Sequence, residues 1–232
     1  MHILLTNDDG IAAPGLAALR ACLEPMAERG VRYSVVAPDQ NRSECGHSVT
    51  TRRALKVRQT EANAWSVDGT PVDCVRLALS DLVPEIDMVI SGVNDGGNLG
   101  VDLLVSGTFA AAKEGFLRGL PAVALSHYRH PSRPRTWDHV PRWVRGLLEE
   151  ATEHASTDTF LMNINLPAVD PQQMPECVEC DVDYSPFDVR YESLESNAFL
   201  LRSSYQDRPR KTGSDVEHCF GGKITVTRRF IS

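Results

Sequence analysis

Apolar residues along the first 166 positions alternate between short runs and stripes spaced three to four apart. His2 to Thr6 is a short, mostly apolar run of the kind that forms a buried parallel strand. Pro14 opens a helical stretch to about Arg29, with Leu16, Leu19, Leu23 and Met26 on one face and Gly30 as its stop. Val31 to Ala37 reads as the next strand and ends at Pro38, which completes a βαβ unit with an expected right-handed crossover. Leu55 to Gln59 and Ala64 to Val67 read as a short hairpin around the polar Thr60 to Asn63. Thr70 then caps a helix carrying Val72, Val75, Leu77 and Leu79. The series continues with a strand over Asp87 to Ser91, a loop over Gly92 to Gly107 with five glycines, and a helix over Thr108 to Gly119. Ala122 to Ser126 is a strand, Trp137 to Ala155 a helix, and Phe160 to Leu166 a strand. Such alternation predicts a three-layer α/β fold with a mainly parallel sheet.

The texture changes after Pro167. Prolines at 171, 175 and 186 break the pattern, while Phe199 to Arg202 and Lys223 to Phe230 have β character. The expected organisation is a catalytic core over residues 1–167 and a smaller β-rich extension over 168–232. The extension is expected to serve as an oligomerisation arm whose last strand returns to the core.

Composition narrows the function classes. The 232 residues carry a formal charge of −7, so a general nucleic-acid binder, which needs a basic surface to displace counterions, is not expected. No run approaches the roughly 20 apolar residues that span a bilayer. The start has no cationic stretch and turns acidic at Asp8, so a secretory signal is not expected and a cytoplasmic protein is. The six cysteines then read as free thiols. Cys177 and Cys180 have zinc-knuckle spacing, but the nearest further ligands, His218 and Cys219, form no second knuckle.

Open parallel sheets collect ligands outside the carboxyl ends of their strands. Three polar segments follow strands here: Asn7-Asp8-Asp9-Gly10, Asp39 to Ser43, and the glycine-rich Ser91 to Gly100. Adjacent carboxylates at Asp8 and Asp9 would repel each other, and a hard cation such as Mg²⁺ or Mn²⁺ removes the conflict. The competing reading makes Asp8 or Asp9 a helix cap or part of a turn. Asn94 and Asn98 offer amide ligands. Ser106-Gly107-Thr108, just ahead of a helix with small residues in its first turns, makes a ready phosphate site.

Several familiar motifs are absent: GxxxxGK[ST], a GxGxxG after the first strand, GxSxG and HExxH. His47 reads as a surface histidine rather than an acid or base. Trp137 and Trp143 read as helix-packing residues rather than base-stacking ones.

Five ordered segments then carry a resemblance. They are Asn7-Asp8-Asp9-Gly10 with Ala13-Pro14-Gly15, Ala37 to Ser43, Gly69 to Cys74, Ser91-Gly92-Val93-Asn94, and Ser106 to Ala112. Together they closely resemble the survival protein SurE family of metal-dependent 5′/3′-nucleotidases. The resemblance implies a Rossmann-like core, a β-rich arm exchanged between subunits in a homodimer or homotetramer, and phosphate removal from nucleoside monophosphates or similar small phosphomonoesters. It places one divalent ion per subunit, Mg²⁺ or Mn²⁺, on Asp8, Asp9, Ser43 and Asn94. Phosphate contacts fall on Asn98, Ser106, Gly107 and Thr108. Asp8 and Asp9 also become the catalytic pair, orienting an attacking water, with a covalent aspartyl-phosphate on Asp8 as the alternative. Departures at Gln40, Glu44-Cys45 and Asp95-Gly96-Gly97 are expected to add negative charge at the mouth of the site. Two rival readings share the scaffold: a catalytically silent nucleotide or phosphate binder, and a metal-dependent hydrolase of another bond.

Overall fold

The computed structural model describes residues 1–195 and 197–228. The strands β1 (His2–Thr6), β2 (Arg32–Pro38), β3 (Val57–Glu61), β4 (Ala64–Val67), β5 (Met88–Asn94), β6 (Ala122–His127) and β7 (Leu161–Leu166) form most of a single sheet. Three short strands follow, β8 (Cys177–Glu179), β9 (Tyr191–Glu195) and β10 (Ala198–Leu201), and then β11 (Ile224–Thr227). The nine-stranded sheet has the order β3-β4-β2-β1-β5-β6-β7-β11-β8. From β4 to β7 every pairing is parallel; β3 and β11 run against their neighbours β4 and β7.

The helices are α1 (Pro14–Leu23), α2 (Pro71–Leu77), α3 (Gly107–Leu117), α4 (Val140–His154) and α5 (Asp215–Phe220). The pleat of β1 explains the layering, because successive side chains point to opposite faces. Ile3 and Leu5 join a core with Leu16, Leu19 and Leu23 of α1 and Trp143, Val144 and Leu148 of α4. Leu4 joins the other core, with Val75 of α2 and Phe109, Ala111 and Ala112 of α3. The expected three-layer α/β fold is therefore present. No helix among the described residues is long and apolar enough to cross a membrane.

Boundaries differ from expectation where a proline intervenes. α1 stops at Leu23 and continues to Arg29 as a 3₁₀ turn, because Pro25 lacks the N–H that would carry the α pattern on. α4 begins at Val140 rather than Trp137, with Pro141 in its first turn, where a missing N–H costs nothing. β5 runs on to Asn94, three residues past the expected end, and the glycine-rich loop contains a 3₁₀ turn over Gly100–Leu104. At α2, Thr70 and Asp73 cap each other reciprocally.

The segment after Pro167 contributes β8 and β11 to the main sheet and projects the β9–β10 hairpin as a separate two-stranded sheet. Its Tyr191, Leu194, Phe199 and Leu201 side chains are exposed. Of the strand expected over Lys223 to Phe230, Ile224–Thr227 is present, whereas Arg229 and Phe230 lie outside the described residues.

Candidate functional site

The strand order reverses at β1, whose neighbours are β2 on one side and β5 on the other. Chains leaving the carboxyl ends of β1 and β5 diverge there and leave a crevice. Thr6 is the register partner of Ser91, so Asn7-Asp8-Asp9 and Val93-Asn94 emerge side by side. Asn7 shapes its loop by donating from Nδ2 to the Gly10 carbonyl (2.8 Å) and accepting the Gly10 N–H (3.2 Å). The Arg42 N–H donates to the Asp8 carbonyl at 2.7 Å, bringing the loop with Ser43 to the same edge. Asp9 accepts the Asp95 N–H at 3.0 Å and approaches Asn41 Nδ2 at 3.4 Å. Each expected metal ligand is thus bonded to another ligand's loop, or stands one residue from such a bond.

The two carboxylates have unlike surroundings. Asp8 is 4% exposed, and burial pushes its carboxyl up to about 6 although Thr108 donates its hydroxyl to Oδ1. Asp9 is half-buried, and burial raises its pKa as well, against the Asp95 N–H that favours its charged form. Burying two adjacent carboxylates without a cation is costly, which is the condition a divalent ion relieves. Asn94 donates Nδ2 to the Gly96 carbonyl at 3.0 Å, which leaves its Oδ1 for a cation. Ser43 is exposed, with its N–H donated to Asn41 Oδ1 at 2.8 Å. Among the described residues no three of His, Cys, Asp and Glu gather into a metal-sized cluster. The set able to hold an ion is therefore two carboxylates with the Asn94 and Ser43 oxygens and water, a hard oxygen set suited to Mg²⁺ or Mn²⁺.

α3 points its N-terminus at Asp8. Ser106 caps it by accepting the Phe109 N–H at 3.0 Å. A Cβ on Gly107 would lie 2.9 Å from Asp8 Cβ and 3.0 Å from Asp8 Oδ2, so only glycine lets the helix end approach the carboxylate. Thr108 spends its hydroxyl on Asp8 in this structure. Asn98 is bracketed: its N–H donates to Asn165 Oδ1 (2.8 Å), its carbonyl accepts Nδ2 of Asn163 (3.1 Å) and of Asn165 (2.9 Å), and its own Nδ2 donates to Ser126 (2.8 Å).

Other residues shape the edge without any motif in the sequence to mark them. Cys45 would stand 3.2 Å from a Gly107 Cβ, beside Asp8. Asp215 accepts the N–H of Gly100 and of Asp183, both at 2.8 Å, and so braces the glycine-rich loop from the far end of the chain. Asn163 and Asn165, two apart inside the apolar run 161–166, are a signal that could have found their role: buried amides on one strand face need partners. Asp95 does stand beside Asp9, but Arg129 (2.7 Å) and Arg135 (2.9 Å) neutralise its charge, so it adds no net negative charge to the mouth. His47 pairs with buried Glu114 at 2.9 Å, and Trp143 is buried in the core as expected of a packing residue. All six cysteines are free.

Comparison with known proteins gives a consistent family. The family described as "Survival protein SurE" matches residues 3–184. A protein of Synechocystis sp. (strain ATCC 27184 / PCC 6803 / Kazusa) is 40% identical over 98% of this chain and 99% of its own length. The "5'-nucleotidase SurE" of Desulforudis audaxviator (strain MP104C) is 47% identical over 74% of this chain and 68% of its own. The crystal structure of the SurE protein from Aquifex aeolicus superposes with a TM-score of 0.85 at 27% identity, covering 100% of this chain and 94% of that one.

Proposed function

Because the chain belongs to the survival protein SurE family, with relatives named 5′-nucleotidase, we propose that it is a divalent-metal-dependent phosphomonoesterase releasing phosphate from nucleoside 5′- or 3′-monophosphates. One observation carries the reading: the buried Asp8 carboxylate lies against the N-terminus of α3, with a second carboxylate, Asp9, beside it. An anion binder alone gains nothing from two such carboxylates; a phosphatase that recruits a cation does.

A divalent ion, when bound, would neutralise phosphoryl charge and activate a water. The remaining work falls to the chain. The Gly107 N–H at the head of α3, with the Ser106 hydroxyl, holds the equatorial phosphoryl oxygens, where transition-state charge collects. Asp9, the more open carboxylate, orients the water and accepts its proton as oxygen adds to phosphorus. The ester P–O bond breaks in line, and the ribose oxygen leaves protonated by Asp9 or solvent. Asp8, buried and accepting the Thr108 hydroxyl, would serve as a ligand of the ion rather than as a covalent nucleophile.

Purified protein is expected to release phosphate from nucleoside monophosphates with Mn²⁺, to stop in EDTA, and to recover on added Mn²⁺. Asp9→Asn and Asn94→Ala should stay folded and lose most of this activity. Turnover indifferent to EDTA, or ordinary turnover by both variants, would overturn the reading. Nucleotide binding without phosphate release would instead identify a silent binder.

The exposed apolar side chains of the β9–β10 hairpin fit a homodimer or homotetramer in which the hairpin packs on another subunit. Light scattering should give a mass of two or four chains for the protein, and a single chain for a Phe199→Asp, Leu201→Asp variant.

A further inference from the structure

The loop between β6 and α4 reaches the site edge through two arginines, Arg129 and Arg135, and only the first is buried. Arg129 stacks on Trp137 at 4.1 Å, donates Nε to Asp95 Oδ1 at 2.7 Å, and donates Nη1 to the Thr136 carbonyl at 3.2 Å. Only 10% of its side chain is exposed. The loop is closed behind it by a histidine pair: His127 Nε2 and His139 Nε2 are 2.8 Å apart. His127 donates from Nδ1 to the Tyr128 carbonyl (2.9 Å), so in its neutral form its Nε2 accepts the proton on His139 Nε2. Burial depresses both pKa values, to about 3 for His127 and about 4 for His139, which keeps both rings uncharged at neutral pH. A buried guanidinium fixed at three points therefore holds the Asp95 carboxylate, and the Asp95 N–H faces Asp9 Oδ2 at 3.0 Å.

We propose that Arg129 is a positioning residue for the metal site: by pinning Asp95 it aims the Asp95 N–H at Asp9 and holds that carboxylate in its ligating orientation. The inference rests on the metal-site reading above. Outer partners of this kind typically change metal affinity by about 10–100-fold.

A field effect is the physical alternative, and charge distinguishes the two. Arg129→Gln removes a positive charge near the cation, and Asp95→Asn removes a negative one. Positioning requires both variants to bind Mn²⁺ about tenfold or more weakly, and the double variant, with its net charge restored, to bind no better than either single. A field effect requires opposite shifts in the singles and wild-type affinity in the double. Arg135→Gln is the control, because Arg135 also pairs with Asp95 but is 68% exposed and lacks the Trp137 and Thr136 anchors. It should leave affinity within about threefold, since exposed pairs hold a partner weakly.

The measurement is free Mn²⁺ by electron paramagnetic resonance, with thermal midpoints recorded in EDTA to show that each variant is folded. If Arg129→Gln does not fold, Asp95→Asn and Arg135→Gln decide: weakening by the first and no change in the second supports positioning, and equal opposite shifts overturn it. Unchanged Mn²⁺ affinity in the Arg129 and Asp95 variants also overturns it. A wild-type protein that binds Mn²⁺ while the variants match it sinks this inference alone; one that binds none sinks the metal site itself.

Discussion

Asp8→Asn is expected to lower phosphatase turnover by about a thousandfold or more while making the metal-free protein more stable at pH 8. The two effects share a cause. Burial lifts the Asp8 carboxyl from 3.8 to about 6, so the folded protein keeps the proton to a higher pH than the unfolded chain does. A carboxyl raised in this way leaves the fold unpenalised below pH 3.8. The cost grows as pH rises from there to 6 and is constant above, at about 3 kcal/mol. Asparagine can still accept the Thr108 hydroxyl and carries no charge to desolvate. Its advantage should therefore be full at pH 8, partial at about pH 5 and absent below about pH 4, as read by thermal unfolding in EDTA. An Asp8→Asn variant that melts lower than wild type at pH 8, or that turns over normally, would contradict this account. In wild type, saturating Mn²⁺ should give a stabilisation larger at pH 8 than at pH 5, because the ion relieves a charge that is fully developed only at the higher pH.

Gly92→Ala should cost about 3 kcal/mol of stability or more, a large share of a domain's total. Gly92 lies within β5 at φ +142, a conformation open to glycine and strained for any other residue. A Cβ there would stand 2.2 Å from the Leu125 carbonyl oxygen, and Leu125 is its register partner on β6. Relief would require separating two central strands at the point where the site begins. Gly96→Ala is the control, since its Cβ would meet only Asn94 Nδ2, at 3.5 Å. Urea midpoints should drop sharply for Gly92→Ala and hardly move for Gly96→Ala. Equal midpoints would show that the β5–β6 ladder can yield there.

Much of this edge is legible in the sequence because its parts lie next to strong local signals. The run His2–Thr6 ends directly on Asp8 and Asp9, and Ser106 sits where the helix it caps begins, so naming the strand or helix also places the chemistry. The Arg129–Asp95 contact has no such neighbour. It joins residues 34 apart in sequence, through the pairing of β5 with β6 and the fold-back of a loop with no hydrophobic period. Asp215 on Gly100 is further still from local reading, at 115 residues. β8 escapes for a different reason: three partly exposed residues give no alternation to detect, and its register comes entirely from β11. Pro25 is legible, and the end of α1 follows from it.

The bond from Asp215 to Gly100 also orders events in time. Translation delivers the β1 carboxylates and the α3 helix end long before it delivers Asp215, so a nascent chain can assemble the sheet around β1, β5 and β6 while its glycine-rich loop lacks its brace. The loop after Asn94 is held at Asn98 by β6 and β7, but at Gly100 it gains its bond to Asp215 only when α5 docks. The far end of the glycine-rich loop would then be fixed only when nearly the whole polypeptide has left the ribosome.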